Sequence, residues 1–128
     1  MLLQGTFYGE CDDYVAEAVQ AHPDRLVGAL WCDPWREGFR RTFEERTEGG
    51  DFRIGKIEFS TGTGLCGVHP GARLDDEEVA WLWPALEGRD MTLTLDLGPP
   101  TDPAYQTEAV RAIAERHEGL RVVVAHLC

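Results

Sequence analysis

Five short apolar segments, separated by segments with helical spacing, constrain the fold of this chain more than any other feature. We predict strands at residues 2–8, 26–32, 52–59, 91–97 and 120–127. Apolar residues three and four positions apart predict helices at 11–21, 35–47, 75–86 and 102–117. Strands and helices that alternate in this way indicate a parallel sheet with right-handed helical crossovers.

Helix ends are marked by capping residues and prolines. Asp12 or Asp13 is a candidate N-cap for the first helix, and Asp102 followed by Pro103 predicts the start of the last one. Pro84 lies inside the third predicted helix, which we expect to be kinked or shortened there.

Composition limits the classes of function. The 128 residues are enough for one core, so we predict a single domain over 1–128. A net charge of -11 without a basic cluster argues against nucleic acid or an anionic membrane surface as partner.

The sequence shows neither a membrane-spanning apolar stretch nor a signal peptide pattern, and we predict a cytoplasmic protein. The four cysteines, Cys11, Cys32, Cys66 and Cys128, are widely spaced, which predicts free thiols.

The last strand ends in a histidine. The apolar run at 122–125 is typical of a strand buried on both faces of a parallel sheet, and His126 follows it directly. Ligands and catalytic groups of parallel α/β folds lie at the carboxyl ends of the strands. His126 is therefore a candidate catalytic residue, although a histidine that caps the strand through a carbonyl group would give the same pattern.

Two predicted strands alternate between polar and apolar residues. Side chains two positions apart share a face of a strand. One face thus carries Lys56, Glu58, Ser60, Thr92, Thr94 and Asp96. Helices cover both faces of an open doubly wound sheet, where these charges would be costly, whereas the inside of a (β/α) barrel near its rim accommodates them. Alternatively, Lys56 and Glu58 form an internal ion pair that only sets the register of the strands.

The residues at the predicted strand ends have a chemistry in common. Glu58, Asp96 and His126 would offer carboxylate oxygen and imidazole nitrogen to a divalent metal, which lowers the pKa of a bound water. Without a metal, His126 is a candidate general base oriented by Asp96. The glycine-rich loop at 60–73, with Cys66 and His69, would reach over the same rim and is expected to be either a substrate-shaping lid or a flexible loop.

Several short motifs together resemble the amidohydrolase-related proteins, a group of metal-dependent (β/α)8 barrels that includes aminocarboxymuconate semialdehyde decarboxylase. The motifs are His22-Pro23-Asp24-Arg25-Leu26-Val27-Gly28, Cys32-Asp33-Pro34, Gly55-Lys56-Ile57, Leu74-Asp75-Asp76 and Val122-Val123-Val124-Ala125-His126-Leu127. The resemblance implies metal ligands from a His-x-His pair on the first barrel strand, histidines on the fifth and often the sixth, and an aspartate on the eighth. Hydrolysis and nonoxidative decarboxylation are the reactions it implies.

Matched to that pattern, residues 120–127 correspond to the sixth strand and 91–97 to the fifth. His126 then matches the sixth-strand histidine, while Asp96 stands where the fifth-strand histidine is expected. The His-x-His pair and the seventh and eighth strands have no counterpart. The resemblance thus implies a partial (β/α)8 TIM barrel, about strands 2 to 6. We expect a fragment whose open edges favour either self-association as a homo-oligomer or poor solubility of the isolated chain.

The resulting expectation is an incomplete metal-dependent hydrolase or nonoxidative decarboxylase. The small-molecule substrate would be carboxylated or cyclic, and the catalytic residues His126, Asp96 and Glu58. The metal would be zinc, or alternatively manganese, on His126 and Asp96. A catalytically inert barrel-derived domain or binding module is the alternative. A flavodoxin-like nucleotide-binding domain is disfavoured, because no phosphate-binding glycine motif follows a predicted strand.

Overall fold

A parallel sheet organises the chain, whose computed structural model describes residues 1–127. Its four strands are β1 (Gly28–Trp31), β2 (Phe52–Glu58), β3 (Thr92–Asp96) and β4 (Arg121–Val124). They lie in the order β1-β2-β3-β4, and every neighbouring pair is parallel. The predicted α/β class is confirmed: a parallel sheet with flanking helices, consistent with a partial TIM barrel.

Helical segments connect the strands. The α-helices are α1 (Asp12–Ala21), α2 (Phe39–Glu48), α3 (Leu65–Val68), α4 (Leu82–Glu87) and α5 (Thr107–Arg116). Short 3-10 turns lie at Thr6–Tyr8, Glu77–Val79 and Ala125–Leu127. Within residues 1–127, no helix has the length and apolar character needed to cross a membrane.

The core lies against the apolar face of the sheet. Ile57, Phe59, Leu93, Leu95 and Leu97 are all fully buried, as the alternation in the sequence predicts. A Cβ atom at Gly55 would come within 2.8 Å of a Leu86 methyl carbon, so this glycine lets α4 pack closely on the sheet. Each buried aliphatic or aromatic side chain on this face contributes about 1.5–3 kcal/mol of transfer free energy.

The first predicted strand, 2–8, is wrong beyond Leu2. Leu2 forms a single isolated bridge with Gly28, and Thr6–Tyr8 is a 3-10 turn. The chain leaves the line of a strand because the buried side chain of Gln4 turns inward and donates to Asp12 and to the carbonyl of Ala29. The propensity of a short apolar segment does not reveal such a side-chain contact.

The prediction that the last strand is buried on both faces is also wrong. Val123 is 49% exposed and Val124 38% exposed. β4 pairs with β3 only, so it is an edge strand of the sheet, and the described residues supply nothing to cover it. Exposed edges of this kind favour pairing with another chain. Self-association stays a prediction.

Three helix starts differ from the sequence-based expectation. α1 begins with Cys11 as its N-cap, without a side-chain cap from Asp12 or Asp13. α2 begins after Gly38, whose φ of 77° interrupts the predicted segment 35–47. α5 begins at Thr107, five residues after Asp102. The Asp102 carboxylate accepts the backbone N–H of Ala104, as an N-cap does, and also that of Thr61, but the turn that it caps does not continue into the helix.

The remaining local predictions have clear outcomes. The third predicted helix is divided into the turn Glu77–Val79 and the short helix α4, which contains Pro84, so the expected shortening is confirmed. Cys11, Cys32 and Cys66 are free thiols. Cys128, the fourth predicted free thiol, lies outside the described residues.

A buried polar network joins the N-terminal segment to α1. The side-chain amide of Gln4 donates to the carboxylate of Asp12, and its carbonyl oxygen accepts the backbone N–H of Cys11 at 2.9 Å. Burial raises the pKa of the Asp12 carboxyl above its ordinary value of 3.8, although the Gln4 bond acts in the opposite direction.

This shift predicts a pH dependence of stability. Because the folded-state pKa is raised, the contribution of Asp12 is greatest below pH 3.8 and is lost as the pH rises through the folded-state value. In Asp12→Asn the side-chain oxygen still accepts from Gln4 but cannot ionise. We expect the variant to gain free energy of unfolding over the wild type as the pH rises to 7, measured by urea denaturation across this range.

Asp13→Asn is the matched control, because Asp13 is 79% exposed and pairs with Arg46 on the surface. Loss of this exposed pair should cost about 1 kcal/mol or less at neutral pH. An Asp12→Asn variant that becomes less stable than the wild type as the pH rises would contradict the prediction.

Candidate functional site

The carboxyl ends of the strands carry the candidate site. Glu58 and Asp96 are the last residues of β2 and β3 and lie opposite each other in the parallel register. His126 follows β4 by two residues. Since all four strands run in one direction, these side chains meet at one edge of the sheet.

Asp96 and His126 form a carboxylate–imidazole pair. His126 Nε2 lies 3.2 Å from Asp96 Oδ2. The other carboxylate oxygen, Asp96 Oδ1, accepts the backbone N–H of Gly98 at 3.1 Å. The Asp96 side chain is only 19% exposed whereas that of His126 is 74% exposed, so the carboxylate is fixed and the ring faces solvent.

The backbone of His126 turns sharply at this point. Its φ of 67° and ψ of 16° lie in the left-handed region, within the 3-10 turn Ala125–Leu127. Non-glycine residues adopt this conformation rarely, and it is often found at functional sites. The turn takes the chain out of the direction of β4, and His126 contacts the end of the neighbouring strand β3.

Glu58 has a different set of partners. Its Oε1 accepts the hydroxyl of Thr63 at 3.1 Å and its Oε2 accepts the backbone N–H of Thr6 at 3.2 Å. The Lys56 ammonium lies 3.6 Å from Oε2. Among the described residues, no hydrogen bond or ion pair joins Glu58 to the imidazole of His126. The structure therefore brings Asp96 and His126 together and leaves Glu58 beside them with its oxygens engaged.

A second carboxylate–imidazole pair, missed by the sequence reasoning, lies near the same edge. Asp33 is buried just after β1, and His69 Nε2 hydrogen-bonds its Oδ2 at 3.0 Å and lies 2.9 Å from its Oδ1. The Trp35 ring stacks on Phe59 at 5.3 Å and is 6.0 Å from the His69 ring. The available signal was Asp33-Pro34, an acidic turn directly after a predicted strand.

The glycine-rich loop at 60–73 is hydrogen-bonded within itself, to the loop after β3, and through Thr63 to Glu58 at the end of β2. The Thr61 backbone N–H donates to Asp102 at 3.0 Å, and the Ser60 and Thr63 hydroxyls are 3.1 Å apart. Burial raises the pKa of the Cys66 thiol to about 11, so this residue is largely a thiol at neutral pH and a poor nucleophile. With the Asp33–His69 contact, these bonds argue against a freely flexible loop, while a substrate-shaping role stays a prediction.

A family model described as amidohydrolase matches residues 2–127 of the sequence. The chain belongs to the amidohydrolase family. A search of curated proteins gave no match, and neither did a search of solved structures. Family membership supports a hydrolase-type function for this amidohydrolase chain, in agreement with the resemblance seen in its motifs.

Divalent metals are general in amidohydrolases, and such an ion needs several oxygen, nitrogen or sulfur donors close together. Within residues 1–127, no three His, Cys, Asp or Glu side chains come together in a way that could hold a metal. Asp96 and His126 provide two donors, and the oxygens of Glu58 are hydrogen-bonded elsewhere. The described residues therefore do not fit a complete metal site.

The geometry of Glu58 predicts weak coupling to Lys56. Their 3.6 Å separation is longer than a hydrogen bond, and the bonds from Thr63 and Thr6 remain when the ammonium is removed. A double-mutant cycle with Lys56→Met and Glu58→Gln should give a coupling energy of about 1 kcal/mol, at the low end of the range of roughly 0.5–3 kcal/mol for side chains in contact, measured by urea unfolding.

The control for lost charge is Arg53→Met, which removes an exposed cation from the same strand. Removing one member of a tightly coupled buried ion pair costs about 3–5 kcal/mol. A loss in that range for Lys56→Met, with a coupling energy of about 3 kcal/mol, would contradict the prediction and show that the ion pair contributes strongly to stability.

Proposed function

We propose that this chain forms part of a hydrolase in which His126 is the acid–base group and Asp96 positions it. The contact between His126 Nε2 and Asp96 Oδ2, at 3.2 Å, carries the proposal. A small carboxylated or cyclic organic molecule is the proposed substrate. Membership of the amidohydrolase family supports the reaction class.

The pair has the arrangement that a general base needs. With the proton on Nε2, His126 donates a hydrogen bond to Asp96, and the lone pair on Nδ1 is available to a water molecule. His126 takes a proton from that water as its oxygen bonds to the substrate carbonyl carbon. The imidazolium, stabilised by Asp96, then returns the proton to the leaving group as the bond to carbon breaks.

Nonoxidative decarboxylation is a finer version of the same proposal. There, the bond between the substrate carbon and its carboxylate breaks, carbon dioxide leaves, and protonated His126 gives its proton to that carbon. The same contact with Asp96 supports both reactions, because in each the residue holds and releases one proton at a ring nitrogen.

Metal dependence stays a prediction based on the family. Zinc, or manganese as the alternative, would bind His126 and Asp96, with further ligands from outside the described residues. The fragment prediction belongs to the same proposal and is supported by the four-stranded sheet with its exposed edge strand β4.

An inert barrel-derived domain is the second candidate. It is favoured by the hydrogen bonds that occupy both oxygens of Glu58, since these leave the third predicted site residue in a structural role.

Activity measurements with matched variants separate the two candidates. The substrates would be small esters, lactones, amides and carboxylates that can lose carbon dioxide. We expect His126→Asn to lower kcat about 10²–10⁴-fold, the range for loss of a general acid–base group, and Asp96→Asn to have a smaller effect. His22→Asn, a change at the exposed end of α1, is the control and should leave the rate unchanged.

Wild-type protein that folds but turns over none of these compounds would support the inert domain. Equal rates for the wild type and His126→Asn on a compound that is turned over would refute the assigned role of His126.

Elemental analysis of the same purified proteins tests the metal prediction independently. Near-stoichiometric zinc or manganese in the wild type, lost in His126→Ala and in Asp96→Ala, is the result expected if these two residues already bind the ion. Metal retained in both variants would place its ligands elsewhere.

A further inference from the structure

We propose that Lys56 is the anchor for a carboxylate group of the substrate, on the polar face of the sheet one row below the Asp96–His126 pair. This inference rests on the proposed function only in naming the reactive group. The anchoring itself is a binding property of the polar face and can be tested without turnover.

The parallel register places Lys56 in a row across the sheet. Trp31 of β1 pairs with Lys56 of β2, Lys56 with Thr94 of β3, and Thr94 with Val123 of β4. Residues paired in register point to the same face. The next row toward the carboxyl ends contains Glu58 and Asp96, so Lys56 lies one row below the rim that carries the catalytic pair.

The Lys56 ammonium group has no hydrogen-bond acceptor among the described residues. Its side chain is 13% exposed, and its one ion pair there is the 3.6 Å approach to Glu58 Oε2. An ammonium group has three N–H donors, so its hydrogen-bonding capacity remains open to a ligand. Glu58 takes its hydrogen bonds from Thr63 and Thr6, so it is not organised around the lysine.

Other donors near this row also lack acceptors. The indole N–H of Trp31 and the hydroxyl of Thr6 are buried and have no hydrogen-bond partner in the described part of the chain. Thr6 lies beside Glu58 through its backbone N–H, and Trp31 lies beside Lys56 through the strand register. Unpartnered donors on the same strand row as a lysine, and beside its ion-pair partner, form an arrangement that a carboxylate, with its two acceptor oxygens, would satisfy.

The nearby acids do not oppose this assignment. Asp96 contacts His126, Asp33 contacts His69, and Glu58 accepts two hydrogen bonds. Two residues along a strand span roughly 7 Å, so a carboxylate on Lys56 would lie about one small ring from the rim. The proposal therefore specifies the substrate as a small organic acid whose reacting bond is about one ring width from its carboxylate.

Lys56 is the only lysine in the sequence, since the other 11 of its 12 basic residues are arginines. This allows a direct test on the unmodified chain. Folded protein would be treated with limiting acetic anhydride in the presence of benzoate or of neutral benzamide, and acetylation of Lys56 and of the N-terminal amine quantified by peptide mass spectrometry. We expect benzoate, and not benzamide, to slow acetylation of Lys56 severalfold, with the N-terminal amine unaffected.

Equal effects of benzoate and benzamide would overturn the proposal, as would no protection by either compound. Acetylation of Lys56 only after denaturation would also overturn the proposal, because a substrate anchor must be accessible in the folded chain.

Variants separate anchoring from a structural role. Benzoate binding, followed by NMR at the Trp31 indole N–H, should weaken about tenfold or more in Lys56→Met, be retained in Lys56→Arg and be unchanged in Arg53→Met. If Lys56→Met alone does not fold, the double variant Lys56→Met/Glu58→Gln, which removes both charges, replaces it in the binding measurement. Benzoate that binds a folded variant without Lys56 as tightly as the wild type would refute the anchor.

The same measurement in His126→Asn distinguishes this proposal from the proposed function. Benzoate protection of Lys56 should persist there, since the anchor does not require the imidazole. Protection in a protein whose turnover is independent of His126 would leave the anchor standing and refute only the acid–base role.

Discussion

The parallel pairing of β2 with β3 is the constraint on which the rest of this structure depends. Its register sets Gly55 beside Leu93 on the apolar face and Lys56 beside Thr94 on the polar face. The same register brings Glu58 level with Asp96 at the carboxyl ends. A slip by one residue would turn every side chain of a strand to the opposite face, so core and candidate site are specified by one set of backbone hydrogen bonds.

The two faces of the sheet are stabilised in different ways. The apolar face is closed by helices, and its aliphatic residues are fully buried. On the polar face, the acids are compensated individually: buried Glu58 by a threonine hydroxyl and a backbone N–H, and half-buried Asp96 by a backbone N–H and an imidazole. Lys56 is the exception, because its ammonium group has only a long contact to Glu58. Buried polar groups without partners are candidates for a functional role.

Two carboxylate–imidazole pairs near one edge of the sheet have different environments. In the Asp33–His69 pair the histidine comes from a loop and lies against Trp35, so this contact also holds the loop in place. In the Asp96–His126 pair the histidine follows an edge strand and faces solvent. Only the second pair combines a fixed carboxylate with an accessible ring nitrogen, which is why the acid–base role is assigned there.

The sequence by itself determined the α/β class, the order of the four sheet strands and the family of this chain. It also determined which residues of β2 and β3 lie on each face, because side-chain alternation is a local property of a strand. Asp96 and His126 were predictable as neighbours, since each ends or follows a strand of a parallel sheet. Only the tertiary structure decided that Glu58 is held by Thr6 and Thr63, that Gln4 turns the first segment inward, and that β4 is an exposed edge. The physical reason is that these features depend on contacts between residues far apart in the chain, which neither periodicity nor local propensity encodes.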